Sequence, residues 1–113
     1  MNDAFKYVQG TGNVIGIVSD NRKNMVISAL RLFGLRKFVN LHAFNVKLWE
    51  GYCPKHKMVA DILQKAEFKE IGPESVYWFD DKEYSKEALS IGVNFIKVGL
   101  KTNVMKVVKE LVG

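Results

Sequence analysis

The stretch Val76–Asp81, which reads VYWFDD, joins a run of strand-forming apolar residues to two adjacent carboxylates. Continuous apolar runs of this kind are typical of buried parallel strands, and open α/β sheets bind ligands beyond the carboxyl ends of their strands. Two neighbouring carboxylates repel each other unless a positive charge, commonly a divalent cation, lies between them. The stretch therefore predicts a buried strand that ends at a metal site formed by Asp80 and Asp81.

Segments typical of strands and of helices alternate along the rest of the chain. The patterns predict strands over 14–18, 44–48, 75–79 and 94–98, and helices over 3–9, 22–33, 55–66, 83–90 and 102–112. The segment 44–48 alternates apolar and polar residues, as an edge strand does, and Gly34 and Gly92 are expected to end helices. This order predicts a single α/β domain over 1–113 in which a mostly parallel sheet lies between two layers of helices.

Composition narrows the class of protein. The chain has 113 residues, of which 48% are hydrophobic and 26% charged, and its one cysteine, Cys53, excludes an intrachain disulfide, as is usual in a reducing cytosol. No apolar run approaches the roughly 20 residues of a membrane-spanning helix, and the N-terminus does not resemble a signal peptide. We therefore expect a cytoplasmic protein that does not associate with membranes.

The charge of the chain is basic, with a net value of +5. A basic excess is typical of nucleic-acid-binding domains, but here the lysines are spread along the whole chain and no run of five or six basic residues occurs. A solvated, lysine-rich surface is the favoured interpretation. A basic nucleic-acid-binding module is kept as the third functional hypothesis.

Polar side chains that suit phosphate binding follow two of the predicted strands. Ser19, Asp20 and Asn21 follow the strand at 14–18, and all three are residue types that cap helices. Lys55-His56-Lys57 opens the helix before the Asp80-Asp81 strand. A hydroxyl group, a lysine and a carboxylate pair at one sheet edge form a coherent set for binding a phosphate with Mg²⁺.

In this order the motifs resemble those of the haloacid dehalogenase-like phosphatases, in particular the magnesium-dependent phosphatase branch, which lacks a large cap. Ile17-Val18-Ser19 resembles the second motif of the family, Pro54–Lys57 the third and Trp78–Asp81 the fourth, and the turn at Gly92 into 95–98 resembles the strand after it. The similarity extends over about residues 4–112.

The resemblance implies a role for each of these groups. The implied phosphate ligands are Ser19, Asn21 and Lys57, with Lys55 as the alternative lysine. Asp80 would bind Mg²⁺, and Asp81 would support the metal and its waters. The implied substrate is a phosphorylated small molecule or a phosphoprotein.

The chain departs from the family at its first motif, Asp-x-Asp, which carries the nucleophile and the general acid-base at the end of the central strand. No Asp-x-Asp occurs in this sequence, and Asp20 is interpreted as a helix cap and not as a replacement nucleophile. Three explanations follow: a fragment or mis-started reading frame, a central strand supplied by another chain, or an inactive relative used for binding or assembly. We expect a phosphatase domain that is weak or inactive alone. The alternative is a non-enzymatic, homo-oligomerising interaction protein.

The absence of the first strand of the phosphatase family also leads to a structural prediction. Unpaired strand edges inside a sheet are costly because their N–H and C=O groups lose hydrogen-bond partners. We therefore expect either that residues 14–18 pair directly with 75–79, or that a homo-oligomer or a complementing chain fills the gap.

Overall fold

The computed structural model describes residues 2–40, 43–46 and 53–112. In chain order the regular elements are α1 (Asn2–Gly10), β1 (Ile17–Ser19), α2 (Lys23–Leu32), β2 (Phe44–Val46), α3 (Lys55–Leu63), β3 (Tyr77–Asp80), α4 (Ser85–Ile91), β4 (Asn94–Lys97) and α5 (Val104–Val112). Short 3-10 turns occupy Arg36–Phe38, Ala66–Phe68 and Pro73–Ser75. The described part of the chain is thus a mixed α/β structure of five helices and short parallel strand pairs. None of these helices combines the length and the apolar character that crossing a membrane requires.

The strands form two separate parallel pairs. β1 pairs with β2, with Ile17 opposite Phe44, and β3 pairs with β4, with Trp78 opposite Phe95. The expected parallel strands are confirmed. Of the two expected ways of closing the gap, direct pairing of 14–18 with 75–79 does not occur, because no ladder joins β1 to β3. The other, filling by a homo-oligomer or a complementing chain, stays a prediction. The two strands instead meet through side chains, since Val18 packs against the apolar cluster that contains Trp78.

β1 is shorter than the apolar run 14–18 predicted. The backbone N–H of Asn40 donates to the carbonyl oxygen of Ile15 at 2.9 Å, so the chain before Ile17 bonds to a loop and not to a strand. Gly16 lies so close to Ala43 that a Cβ atom there would be 2.7 Å from the Ala43 carbonyl oxygen. Regular pairing therefore begins only at Ile17.

Helices cover both faces of β1. Successive side chains of a strand point to opposite faces, and Ile17 and Val18 accordingly enter different apolar clusters. Ile17 packs against a cluster formed by α2 and the segment after it, whose buried members are Leu30, Leu35, Phe38 and Val39. Val18 packs against a cluster formed by α3, β3, α4 and the turn before β4, whose buried members are Val59, Trp78, Ala88 and Val93. β1 therefore lies between two separate apolar clusters.

The observed helix ends confirm some of the predicted ends and correct others. Gly34 and Gly92 have φ values of +69° and +77° after α2 and α4, as expected for glycines that end helices. The predicted caps Ser19, Asp20 and Asn21 do not cap α2: its N-cap is Arg22, which makes no capping hydrogen bond through its side chain. α3 also ends earlier than predicted, at Leu63, and residues 47 and 48 of the predicted edge strand lie outside the described residues.

Candidate functional site

The first turn of α3 and the end of β3 meet in an ion pair. Lys55, the first residue of α3, follows Pro54, whose fixed φ suits a helix start. Its Nζ atom lies 3.0 Å from Oδ2 of Asp80, the last residue of β3. The side chains are only 15% and 8% exposed, so this pair is shielded from solvent far more than an ordinary surface salt bridge.

Asp80 is held as a carboxylate by two donors. Burial opposes its ionisation, but the Lys55 ammonium and the backbone N–H of Lys82, which donates to Oδ1 at 3.1 Å, outweigh burial and keep the pKa of Asp80 below its ordinary value. The strand therefore ends in a negative charge that persists over the neutral pH range.

Acidic residues at the ends of two strands interact electrostatically with Lys55. Burial acts to lower its pKa, yet the hydrogen bond and charge of Asp80, supplemented by Tyr84 and Asp20, raise the pKa of Lys55 above its ordinary value. Asp20 follows β1, whereas Asp80 ends β3. The charge of Asp20, after β1, therefore acts on the same lysine that pairs with Asp80 at the end of β3.

An aromatic group lies beneath this ion pair. The rings of Trp78 and Tyr84 stack with centroids 5.0 Å apart, and Phe95 meets Trp78 edge-on at 5.5 Å. Nζ of Lys55 lies 5.5 Å from the centroid of the Tyr84 ring, within the range of a cation–π interaction. The Lys55 ammonium therefore has an aromatic neighbour in addition to Asp80. Tyr84 is the site residue that the sequence analysis did not single out.

Ser19 ends β1 and belongs to the other strand pair. Its Oγ accepts a hydrogen bond from the backbone N–H of Asn21 at 3.1 Å. A hydroxyl group that accepts one hydrogen bond still has its own proton to donate, so Ser19 remains able to bind an anion. Asn21 contributes its backbone to this turn.

The structure distinguishes between the two lysines of the predicted site. Lys55 reaches Asp80, whereas the side chain of Lys57 is exposed. Residues two apart on a helix point about 200° away from each other, so both cannot face the same strand end. The sequence already indicated that Lys55 is the lysine on the inner face of α3. It precedes the buried Met58 and Val59 by three and four positions, so it lies on their side of the helix.

The carboxylates offer oxygen ligands to a cation. Asp80 is half-buried and already stabilises one positive charge, and the adjacent Asp81 is exposed. The described residues include no group of three or more histidine, cysteine, aspartate or glutamate side chains that could hold a metal ion. Mg²⁺ commonly takes one or two protein carboxylates and completes its shell with waters and phosphate oxygens.

Comparison of the chain with protein-family models, with curated proteins and with solved structures found no match.

Proposed function

We propose that this chain is a haloacid dehalogenase-like domain whose strand-end site binds a phosphate group together with Mg²⁺, and that it does not hydrolyse phosphate esters by itself. The observation that carries the proposal is the shielded Lys55–Asp80 pair, at 3.0 Å, at the carboxyl end of the parallel strand β3. Ligand sites of open α/β structures lie at this end of their strands.

The proposed phosphate ligands are Lys55 and Ser19. Lys55 takes the role that the sequence first gave to Lys57, because it is the lysine whose ammonium lies at the end of β3. Ser19 donates its hydroxyl proton from the end of β1. The N-terminus of α2, four residues after Ser19 and without a side-chain cap, adds the positive end of a helix dipole.

The proposed metal ligands are Asp80 and Asp81, which would hold Mg²⁺ through carboxylate oxygens. When bound, the metal would supply the positive charge that neutralises phosphate oxygens. Binding of phosphate at the same place gives Lys55 a second anionic partner, so the ammonium group is shared between Asp80 and the phosphate.

The proposed lack of hydrolysis is supported by the sequence. Covalent phosphoryl transfer needs a positioned nucleophile, and the chain has no Asp-x-Asp motif. A carboxylate that binds a metal ion or an ammonium group is a poor nucleophile, so Asp80 does not replace it. The domain is proposed to bind phosphorylated ligands, and to need a further segment for turnover.

Titration calorimetry with inorganic phosphate, with and without Mg²⁺, tests this proposal. We expect phosphate to bind more tightly with Mg²⁺, and binding to weaken about tenfold or more in Lys55→Met and in Asp80→Asn, because each change removes one charge from the site. Lys57→Met is the matched control, since it makes the same substitution two positions away on an exposed side chain. Equal weakening of phosphate binding in Lys55→Met and Lys57→Met would show that phosphate does not bind where α3 meets the end of β3.

An assay with p-nitrophenyl phosphate and Mg²⁺ tests the second part of the proposal. We expect no turnover above the uncatalysed rate. Turnover that disappears in Asp80→Asn would show that the chain is a complete enzyme and would refute the proposed lack of a nucleophile.

A further inference from the structure

β1 has a second backbone edge, opposite the one that pairs with β2. Among the described residues, no strand forms a backbone ladder with this edge. The other strand pair, β3–β4, is a separate sheet. All three residues of β1 are only partly buried, although strands of parallel sheets are ordinarily buried on both faces. A parallel strand edge without a ladder presents N–H and C=O groups to an incoming strand.

A groove of about 470 Å³ lies between β1 and α2. Ile17, Val18 and Ser19 all line it. Because successive side chains of a strand point to opposite faces, three consecutive lining residues indicate that the groove follows the backbone edge of β1 and not one of its faces. A ligand in this groove would therefore meet hydrogen-bonding backbone groups.

The far side of the groove is apolar and uncovered. Met25 and Ala29 of α2 and Phe33 directly after it recur at intervals of four residues, and Met25 and Phe33 are 61% and 67% exposed. Val26 and Leu30, which belong to the apolar cluster on the inner side of the same helix, also line the groove. α2 thus has an exposed apolar stripe beside this strand edge, which indicates an apolar partner at this place.

The apolar cluster between β1 and β3 is also incomplete in its hydrogen bonding. Trp78 is 5% exposed, and its indole Nε1–H is buried without an acceptor among the described residues. A buried donor without a partner costs about 1–3 kcal/mol. Val18, which lines the groove, packs on this cluster.

The basic charge of α2 and of the whole chain favours an acidic partner. α2 carries Lys23 and Arg31 and no acidic residue, and the whole chain has a net charge of +5. Asp20, the acidic residue next to the end of β1, interacts electrostatically with Lys55. A second copy of this chain would bring like charge to like charge, whereas an acidic segment would be attracted.

We propose that the groove between β1 and α2 binds an extended apolar segment of another protein chain, flanked by acidic residues, which adds to the second edge of β1 as a further parallel strand. Strand addition of this kind takes affinity from backbone hydrogen bonds and specificity from the pockets that receive alternate side chains. The proposal rests on the strand edge, α2 and the charge of the chain and not on phosphate binding, and the two sites share Ser19.

The probe is a synthetic peptide of about eight valine, isoleucine and phenylalanine residues, the length of a typical strand, flanked by aspartates. The full 113-residue chain is titrated with it and followed by backbone NMR. We expect saturable binding, slower hydrogen exchange at the amides of Ile17–Ser19, and contact of the peptide's carboxyl end with the region of Ser19, as a parallel strand requires. A peptide N-methylated at alternate residues should bind about tenfold more weakly, because it lacks N–H donors.

Substitutions in the groove supply the protein controls. Met25→Glu and Phe33→Glu should each weaken binding of the acidic peptide, and Met25→Gln serves if the glutamate variant fails to fold. Leu89→Glu is the matched control, because Leu89 is 80% exposed on α4 and does not line the groove. The lysine-flanked form of the peptide should bind less well than the aspartate-flanked form.

Three outcomes would overturn the proposal. Equal binding of the N-methylated peptide would show that no strand is added. Equal loss of binding in Leu89→Glu and Phe33→Glu would place the contact elsewhere. Self-association of the chain that Met25→Glu abolishes would assign the groove to a second copy.

Discussion

Replacement of Lys55 by alanine removes the only side-chain cation bonded to Asp80 among the described residues, while the carboxylate stays where it is. The Asp80 side chain is 8% exposed, and one hydrogen bond, from the backbone N–H of Lys82, remains. Leaving a shielded charge without its partner costs about 2–4 kcal/mol, and loss of the contact with the Tyr84 ring adds about 0.5 kcal/mol. We expect Lys55→Ala to lower the free energy of unfolding by about 3 kcal/mol.

The pH dependence of this loss identifies its cause. With Lys55 present, the folded-state pKa of Asp80 lies below its unfolded value, so the pair stabilises the protein above about pH 4 and the contribution is lost as the pH falls through the folded pKa. Without Lys55, burial dominates and the pKa of Asp80 should rise. The difference in stability between the native chain and Lys55→Ala should therefore be largest near neutral pH and shrink in acid.

Urea unfolding followed by tryptophan fluorescence and circular dichroism, repeated across the pH range, measures these quantities. The control is Lys57→Ala, which makes the same change in the same helix on an exposed side chain and should shift stability by no more than about 0.5 kcal/mol. The reasoning would be refuted if the two variants lost equal stability, or if the loss in Lys55→Ala did not depend on pH.

Three further substitutions test the fold. Gly16→Ala places a Cβ 2.7 Å from the carbonyl oxygen of Ala43 and should cost about 1–3 kcal/mol in urea unfolding, whereas Gly10→Ala, which meets nothing within 4 Å, should not. Gly92→Ala forces a side chain into a φ of +77° and should cost about 1 kcal/mol; an unchanged melting temperature would contradict the left-handed cap. Trp78→Ala empties the buried cluster beneath the site and should cost about 3–5 kcal/mol; a loss below about 1 kcal/mol would show that Trp78 is not core.

The sequence predicted the elements better than their pairing. The stretch 76–81 forms a parallel strand that ends at Asp80, because apolar strand character is local and survives in the fold. Which strand lies beside which depends on contacts between distant residues, and the sequence has no local signal for the separation of β1 from β3. The shortening of β1 likewise comes from the contact of Gly16 with Ala43, which is remote in sequence.

Within the candidate site, residue types were predictable and side-chain directions were less so. Asp80 follows from its place at a strand end. The choice between Lys55 and Lys57 required the position at which α3 begins and the face that it buries, and the spacing to Met58 and Val59 indicates that face. Tyr84 could not be selected, because its stacking on Trp78 is a tertiary contact across the turn after β3.

The most direct test of the proposed site is a titration of the isotope-labelled chain with inorganic phosphate in the presence of Mg²⁺, followed by backbone amide shifts. We predict saturable, magnesium-dependent shifts centred on Ser19, Lys55 and Asp80, which are retained in Lys57→Met and lost in Lys55→Met. Absence of shifts at these residues at millimolar phosphate, or identical shifts in both lysine variants, would contradict the account.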